Sequence, residues 1–120
     1  MSRPHHDLRV WQDAMAMVTR LYKVTRAFPD TERFGLIAQM RRAAVSVPSN
    51  IAEGAARGSR KEFIQFLMIA RGSLSELDTQ LRIAANLGFA DHVESLLDEF
   101  EHLQAMLASL VKSQRIHLRT

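Results

Sequence analysis

Apolar residues recur at intervals of three and four along four segments of the chain, which is the spacing of one face of an α-helix. The pattern predicts helices over residues 8–27, 32–57, 60–87 and 92–112. No segment alternates apolar and polar residues for long, and no Asn-Gly or Asp-Gly turn occurs. Amphipathic helices with short connections become antiparallel neighbours. The sequence therefore predicts an all-α fold, an up-down-up-down antiparallel four-helix bundle.

Turn and capping residues set the predicted ends of these helices. Asp7 is the predicted N-cap of the first helix, and Phe28-Pro29 ends it, because a residue before Pro avoids the helical conformation. Ser59-Arg60-Lys61-Glu62 and Asp91-His92-Val93-Glu94 have the pattern of capping boxes, which begin helices. Gly88 follows the third apolar stripe and is a C-terminal stop.

Two positions inside the predicted helices are unusual. Pro48 removes a backbone donor, so we expect a bend at Ser46–Pro48; we expect no break, since the apolar face keeps its phase. Gly72 costs ~1 kcal/mol relative to Ala in a helix interior, which indicates that another helix approaches closely there. The apolar stripe predicted for the first helix consists of Trp11, Ala14, Met15, Val18, Leu21, Tyr22, Thr25 and Phe28.

Length and composition limit the class of protein. The 120 residues fit one domain, 1–120, with polar termini 1–6 and 113–120 that we expect to be mobile. The 47% apolar and 24% charged residues are typical of a folded soluble protein. Cysteine is absent, which excludes disulfides, zinc–thiolate sites and cysteine nucleophiles. No signal peptide or apolar run long enough to cross a membrane is visible, so we expect a cytoplasmic protein with no membrane partner.

The sequence carries no recognisable catalytic or cofactor motif. The glycines are scattered and form no phosphate-binding loop, and no nucleophile has a base and an oxyanion hole in a Gly-rich turn. A single Glu-x-x-His occurs at Glu99 and His102, whereas a di-iron bundle needs that pair on two helices. His102 is therefore interpreted as a solvated surface residue. We predict a protein that is not an enzyme and holds no metal and no cofactor.

Four segments of the chain carry a family resemblance. Residues 39–54 read QMRRAAVSVPSNIAEG; LRVW at 8–11, FP at 28–29 with ERFGL at 32–36, and FL at 66–67 with ARGSLSEL at 70–77 accompany them. Together they resemble the four helix bundle protein family, the 23S ribosomal RNA intervening-sequence proteins. The resemblance implies a four-helix bundle and a homo-oligomer. It also implies a pentamer, by analogy with the related accessory protein of diversity-generating retroelements, which binds nucleic acid and a reverse transcriptase.

A polar stripe runs along the second helix and faces matching polar positions on the third. The predicted hydrogen-bonded structural network consists of Arg42, Ser46, Asn50, Glu53, Ser73 and Glu76. Buried polar groups need partners, so a network between helices or subunits is the leading interpretation. The alternative is a ligand site built from Arg42, Asn50, Glu53 and Glu76.

The charge of the chain becomes polarised once it is placed on the bundle. The formal net charge is +3, and only Lys23, Lys61 and Lys112 are lysines among the 16 bases. An antiparallel bundle gathers both termini and the turn at Gly58 at one end. The predicted nucleic-acid-binding residues at this end are Arg57, Arg60, Lys61, Lys112, Arg115 and Arg119. The opposite end is close to neutral, and the outer face of the fourth helix is acidic.

These charges favour a homo-oligomeric protein that binds RNA or DNA through phosphate contacts, without sequence preference. The aromatic residues lie mostly on the core stripes, so we expect no exposed platform for base stacking. The alternative is a protein–protein interaction scaffold whose basic character is incidental.

Overall fold

The computed structural model describes residues 3–118 and places four long helices among them. These are α1 (Arg9–Thr25), α2 (Leu36–Ala56), α3 (Arg60–Asn86) and α4 (Glu94–Leu118). Short 3-10 helices, Pro4–Asp7 and Asp30–Glu32, precede α1 and α2. No β-strand occurs among residues 3–118, so the all-α prediction is confirmed.

Each long helix packs against two others. α1 and α3 each contact both α2 and α4, whereas α1 does not pack on α3, nor α2 on α4. Numbering rises along α3 as it falls along α4, because Arg60 contacts Gln114 and the carbonyl oxygen of Arg71 accepts from Gln104. In the same way Ser73 of α3 contacts Ser46 of α2. The predicted up-down-up-down antiparallel bundle is therefore confirmed.

The core is built from one side of every helix. α1 contributes Val10, Ala14, Met17 and Leu21, which are buried. The predicted stripe on α1 was correct in part: Ala14, Leu21, Thr25 and Phe28 are buried. Met15 is 45% exposed, however, Trp11 lines the groove towards α2, and the prediction omitted the buried Val10 and Met17. The other three helices also bury one apolar side, with Leu67, Leu74 and Leu81 of α3 fully enclosed; the remaining large enclosed side chains include Met40, Ile51, Phe100, Leu103 and Leu107. Removing this apolar area from water is the main driving force for the fold.

Two of the predicted helix ends have the expected local geometry. The Ser59 hydroxyl accepts a hydrogen bond from the Glu62 backbone N–H at 3.1 Å and begins α3. Gly88 has a φ of 77°, and the N–H groups of Gly88 and Phe89 return to the carbonyls of Ala85 and Ala84. This is the Schellman pattern, which satisfies the last carbonyl groups of a helix.

Other predicted ends were displaced. Asp7 belongs to the first 3-10 helix and Leu8 is the N-cap of α1. Residues 30–32 form the second 3-10 helix, so α2 begins at Leu36. Asp91 and His92 precede α4, which begins at Glu94. His92 has a φ of 53°, a left-handed conformation that a helix cannot include.

The polar ends of the chain are more regular than expected. α4 continues to Leu118, six residues beyond the predicted end at 112. Residue Gln114 within this extension accepts a hydrogen bond from Arg60 at 3.0 Å, which ties it to α3. At the other end, the His5 and His6 rings lie 5.0 and 5.2 Å from the Trp11 ring. Residues 4–7 and 113–118 are therefore helical, in segments for which we predicted no helix.

The predictions for Pro48 and Gly72 had different outcomes. α2 is continuous through Pro48, as expected, and the bend there stays a prediction. The prediction that another helix packs closely at Gly72 was wrong within the chain, because Gly72 is exposed and nothing lies within 4 Å of an added Cβ. Gly54 is the close approach instead, since an added Cβ would lie 2.7 Å from the Phe66 Cβ.

Candidate nucleic-acid interface

One end of the bundle, called the basic end, gathers the beginnings of α1 and α3 and the ends of α2 and α4. A cavity of about 350 Å³ opens there, lined by Pro4 and Leu8 before α1 and by Arg57, Gly58 and Arg60 between α2 and α3. The Arg60 guanidinium donates to the Gln114 side-chain oxygen of α4 at 3.0 Å. The chain termini and the turn at Gly58 thus lie together, as the topology predicted.

Three of the predicted basic residues are available to a ligand. Lys61, Lys112 and Arg115 are exposed and form no ion pair or hydrogen bond within residues 3–118. Arg119 lies outside the described residues. Two helix N-termini and two C-termini meet at this end, so their dipoles largely oppose one another. The positive potential therefore comes from side chains.

Arg57 is held by neighbouring groups and differs from the three free bases. Its guanidinium contacts Glu53 at 2.9 Å and Glu62 at 3.6 Å, and it lies 5.1 Å from the centre of the Phe66 ring. These contacts join α2 to α3 and compensate the charge of Arg57. We therefore assign Arg57 a structural role beside Gly54 and leave phosphate attraction to the free bases and Arg60.

The predicted polar network separates into smaller groups. The Asn50 amide donates to the Ser46 carbonyl and hydroxyl oxygens at 2.7 and 2.8 Å, and the Ser73 hydroxyl lies 3.0 Å from that of Ser46. This three-residue cluster spans α2 and α3. Glu53 instead pairs with Arg57, and Glu76 accepts from the Gln80 amide at 3.0 Å.

Arg42 does not belong to that network. It is exposed and has no hydrogen-bond or ion-pair partner within residues 3–118. The alternative ligand site required Arg42, Asn50, Glu53 and Glu76 to converge. Their side chains form no contact with one another in the described part of the chain, so the structure gives that site no support.

A cleft between α3 and α4 is the strongest feature that the sequence did not predict. Its volume is about 520 Å³, and Leu74, Leu97 and Phe100 form its floor. Its charged side chains are Asp78, Arg82, Glu94, Asp98 and Glu101. The acids of α4 in this cleft belong to the acidic outer face predicted for the fourth helix, and Asp78 of α3 adds to them. The heptad-like spacing of acids on α4 was visible in the sequence; the addition of Asp78 was not.

Arg82 is the one cation of this cleft. Its Nε lies 2.8 Å from the Asp78 carboxylate. The hydrogen bond to Asp78 and that carboxylate's charge raise the pKa of Arg82 above its ordinary value, with a smaller contribution from Glu101. Arg82 thus stays charged and is bonded to Asp78, so Glu94, Asp98 and Glu101, the acids of α4 in this cleft, form no ion pair within residues 3–118.

Two further sites complete the comparison with the sequence. Phe34 is 89% exposed in the connection before α2, so the expectation that no aromatic is available was wrong. It lies at the end opposite the basic end, beside Arg33, whose guanidinium is 6.0 Å from the ring centre. His102 is exposed, as predicted, and lies 3.6 Å from Asp13. Within residues 3–118 no group of three or more His, Asp or Glu could hold a metal ion, and no helix is long and apolar enough to cross a membrane.

Comparison with known proteins now identifies the family. The family model described as 23S rRNA-intervening sequence protein matches residues 6–109, which include α1, α2, α3 and most of α4. The chain belongs to this family. The resemblance stated from the sequence motifs is therefore confirmed. The 23S rRNA-intervening sequence match includes Arg57, Arg60 and Lys61 of the basic end and stops before Lys112.

A solved structure supports the same fold for this 23S rRNA-intervening sequence family member. It is a protein of unknown function from the S23 ribosomal protein family of Bacteroides thetaiotaomicron VPI-5482. The two chains superpose with a TM-score of 0.79 at 22% identity, over 86% of this chain and 95% of that one. At this identity the likeness concerns the fold alone. A search of curated proteins gives no match.

Proposed function

We propose that this chain is a non-enzymatic, cytoplasmic homo-oligomer that binds RNA or DNA through phosphate contacts at the basic end. The observation that carries the proposal is the convergence of Lys61, Lys112 and Arg115 as exposed bases without partners, next to Arg60. A base whose charge is compensated by an internal ion pair attracts a phosphate backbone less strongly. These three have no such internal partner.

Several features support binding without sequence preference. Trp11 of α1 and Phe63 and Phe66 of α3, which lie near the basic end, are half-buried, and the Arg57 guanidinium covers the Phe66 ring. A base therefore has no fully exposed Phe, Tyr or Trp ring to stack on among the described residues at this end. Lysine and arginine contacts to phosphate fix position but carry no sequence information. Affinity should depend on displaced counterions and so fall steeply with salt.

Self-assembly strengthens this proposal. A single chain offers few free bases, and a few phosphate contacts give weak binding at physiological salt. A cyclic homo-oligomer with parallel subunits would place every basic end on one side of a ring and multiply the local potential. The family resemblance suggests a pentamer. Light scattering at micromolar concentration tests the self-assembly, and a monomer there would refute it.

A filter-binding titration with generic RNA and generic DNA at two salt concentrations tests the nucleic-acid function. The variant is Lys112→Glu/Arg115→Glu, and the matched control is Arg33→Glu/Arg42→Glu, which changes the net charge equally with exposed residues away from the basic end. We expect only the first variant to weaken binding of both nucleic acids and to lower the salt slope by about one unit per lost phosphate contact.

The control decides between the two interpretations of the charge. Equal loss of binding in both variants would show that net charge alone matters and that the basic end is not a site. Wild-type RNA and DNA binding by the Lys112→Glu/Arg115→Glu variant would overturn the proposal and favour a protein–protein interaction scaffold.

A further inference from the structure

The α1–α2 face and the α3–α4 face lie on opposite sides of the bundle. This follows from the packing, because α1 and α3 are diagonal to each other, as are α2 and α4. In a ring built by rotation about an axis parallel to the helices, such opposite faces of neighbouring copies meet. Side chains at a given height along the helix axis on one face then meet side chains at the same height on the other face.

The α3–α4 face is acidic in the half away from the basic end. The cleft there carries Glu94, Asp98 and Glu101, none of which forms an ion pair within residues 3–118. Arg82, the one base in the cleft, is already bonded to Asp78. The face therefore presents uncompensated negative charge above an apolar floor.

The α1–α2 face is basic in the same half. Lys23 and Arg26 of α1 are exposed, and Arg41 of α2 lies beside them; none of the three contacts a carboxylate in the described part of the chain. The Arg41 guanidinium is fixed 4.4 Å from the centre of the Tyr22 ring. Arg20 contacts Glu99 and Ser95, which places this part of α1 level with the acidic part of α4.

Nearer the basic end, each face also carries exposed apolar side chains. On the α1–α2 face, Met15 and Val45 are 45% and 41% exposed and line a groove of about 410 Å³. On the α3–α4 face, Met68 is 40% exposed and lines a groove of about 380 Å³ together with Gly72 and the polar residues Arg71, Ser75 and Gln104. Gly72 has open space where a side chain would be, so the backbone of α3 is accessible to a protruding group.

We infer that a second copy of this chain docks its α1–α2 face on the α3–α4 face, with Lys23 and Arg26 entering the acidic cleft and Met15 and Val45 meeting Met68 at Gly72. This contact is heterologous, because it joins two different faces. Each subunit therefore uses its α1–α2 face on one neighbour and its α3–α4 face on the other, and the contact repeats around an axis. The inference rests on the proposed self-assembly and specifies the surfaces that carry it.

A second copy fits both faces better than an unrelated cation would. The order along each face is the same, charge in the distal half and apolar groups towards the basic end, so both zones are matched in one contact. A small cation or a basic peptide would satisfy the acids of the cleft, but it would leave Met15, Val45 and Met68 exposed. An isologous contact would instead place acid against acid, which costs several kcal/mol.

Charge reversal with light scattering tests the contact. The variants Lys23→Glu/Arg26→Glu and Asp98→Lys/Glu101→Lys each create like charges across the interface, and we expect each to raise the dissociation constant of the assembly by at least about 100-fold. The quadruple variant reverses both faces and should assemble again. None of the four side chains has a hydrogen-bond or ion-pair partner within residues 3–118, so helicity by circular dichroism should stay as in the wild type.

The outcomes separate this inference from the function on which it rests. Lys112→Glu/Arg115→Glu, at the basic end, is the control that should assemble as wild type does. A wild-type monomer would overturn both the self-assembly and the interface. A wild-type oligomer that both double variants leave intact, or a quadruple variant that does not recover, would overturn the interface alone.

Discussion

Gly54 of α2 and Phe66 of α3 approach so closely that an added Cβ on Gly54 would lie 2.7 Å from the Phe66 Cβ. The Phe63 ring would be 3.0 Å away on the same side. Only glycine therefore allows α2 and α3 to pack at this distance, and Arg57 covers the same Phe66 ring from outside. The close contact of the Gly54 backbone with the Phe63 and Phe66 side chains therefore fixes how α2 and α3 pack next to the basic end.

Replacing this glycine tests that contact. Gly54→Ala should destabilise the protein by about 1–3 kcal/mol, because overpacking forces neighbouring side chains or backbone to move. Urea denaturation at a fixed protein concentration measures the change. Gly58→Ala is the control, since nothing lies within 4 Å of its added Cβ, and its effect should stay within about 0.5 kcal/mol. Equal stability of the two variants would mean that the helices can separate at no cost.

Arg41 and Arg42 are adjacent in sequence but differ in their contacts. Arg41 donates to the Thr25 hydroxyl at 3.0 Å and stacks on Tyr22, whereas Arg42 has no partner among the described residues. Arg41→Ala should cost about 1–2 kcal/mol of unfolding free energy, and Arg42→Ala less than about 0.5 kcal/mol. Urea denaturation of both variants provides the measurement. A larger loss of unfolding free energy for Arg42→Ala than for Arg41→Ala would indicate that Arg42 takes part in a structural network.

Gln80 and Gln104 offer a contrast between unsatisfied and satisfied amides. Gln80 is buried and half satisfied: its Nε2 donates to the exposed Glu76 carboxylate, but its Oε1 has no hydrogen-bond partner within residues 3–118. An orphan buried acceptor costs about 1–3 kcal/mol, so Gln80→Met should leave the midpoint of thermal unfolding unchanged or raise it. Gln104 donates to the Arg71 carbonyl and the Ser75 hydroxyl, and Gln104→Met should lower that midpoint. A marked destabilisation by Gln80→Met would contradict this argument.

The first 3-10 helix should respond to pH through His5. Partial burial lowers the pKa of His5 below its ordinary value, and the nearby charges of His6 and Arg3 lower it further. The folded state thus binds this proton less readily than the unfolded one, so the packing of His5 on Trp11 is stable above about pH 6.5 and weakens as the pH falls below it. The emission of Trp11, the only tryptophan, reports the change.

Two variants make that measurement specific. His5→Phe keeps a ring near Trp11 but cannot titrate, so it should flatten the pH dependence of the emission. His92→Asn removes an exposed histidine in the connection between α3 and α4, at the opposite end of the bundle, and should leave the dependence as in the wild type. A wild-type profile in His5→Phe would assign the transition to another group.

The hydrophobic pattern predicted the fold well because core burial depends on a periodic property of the sequence. The apolar sides of α2, α3 and α4, the start of α3 at Ser59 and its end at Gly88 follow from local chemistry. The side of α1 that faces the core was harder to predict, because Trp11 and Met15 are as apolar as Val10 and Met17. Periodicity cannot separate a helix face that lines a surface groove from one that lies in the core.

The candidate site shows where sequence reasoning ends. The topology was enough to gather the bases at one end, but the capture of Arg57 by Glu53, Glu62 and Phe66 depends on how α2 and α3 pack. Gly72 could have been placed from its phase, since it lies midway between the buried Ala70 and Leu74 and so faces outwards. The end of α4 was missed because Gln114 gains its partner, Arg60, from a different helix.

The contact between Arg20 and Glu99 has a consequence for the order of folding. It joins residues 79 positions apart, whereas Ser46 and Ser73, which join α2 to α3, are 27 apart. Closing the longer loop costs about 1 kcal/mol more in chain entropy. We therefore expect the α2–α3 hairpin to form early and the seam between α1 and α4 to close last. The same seam should open first under denaturant, and amide hydrogen exchange along α1 should be faster than along α3.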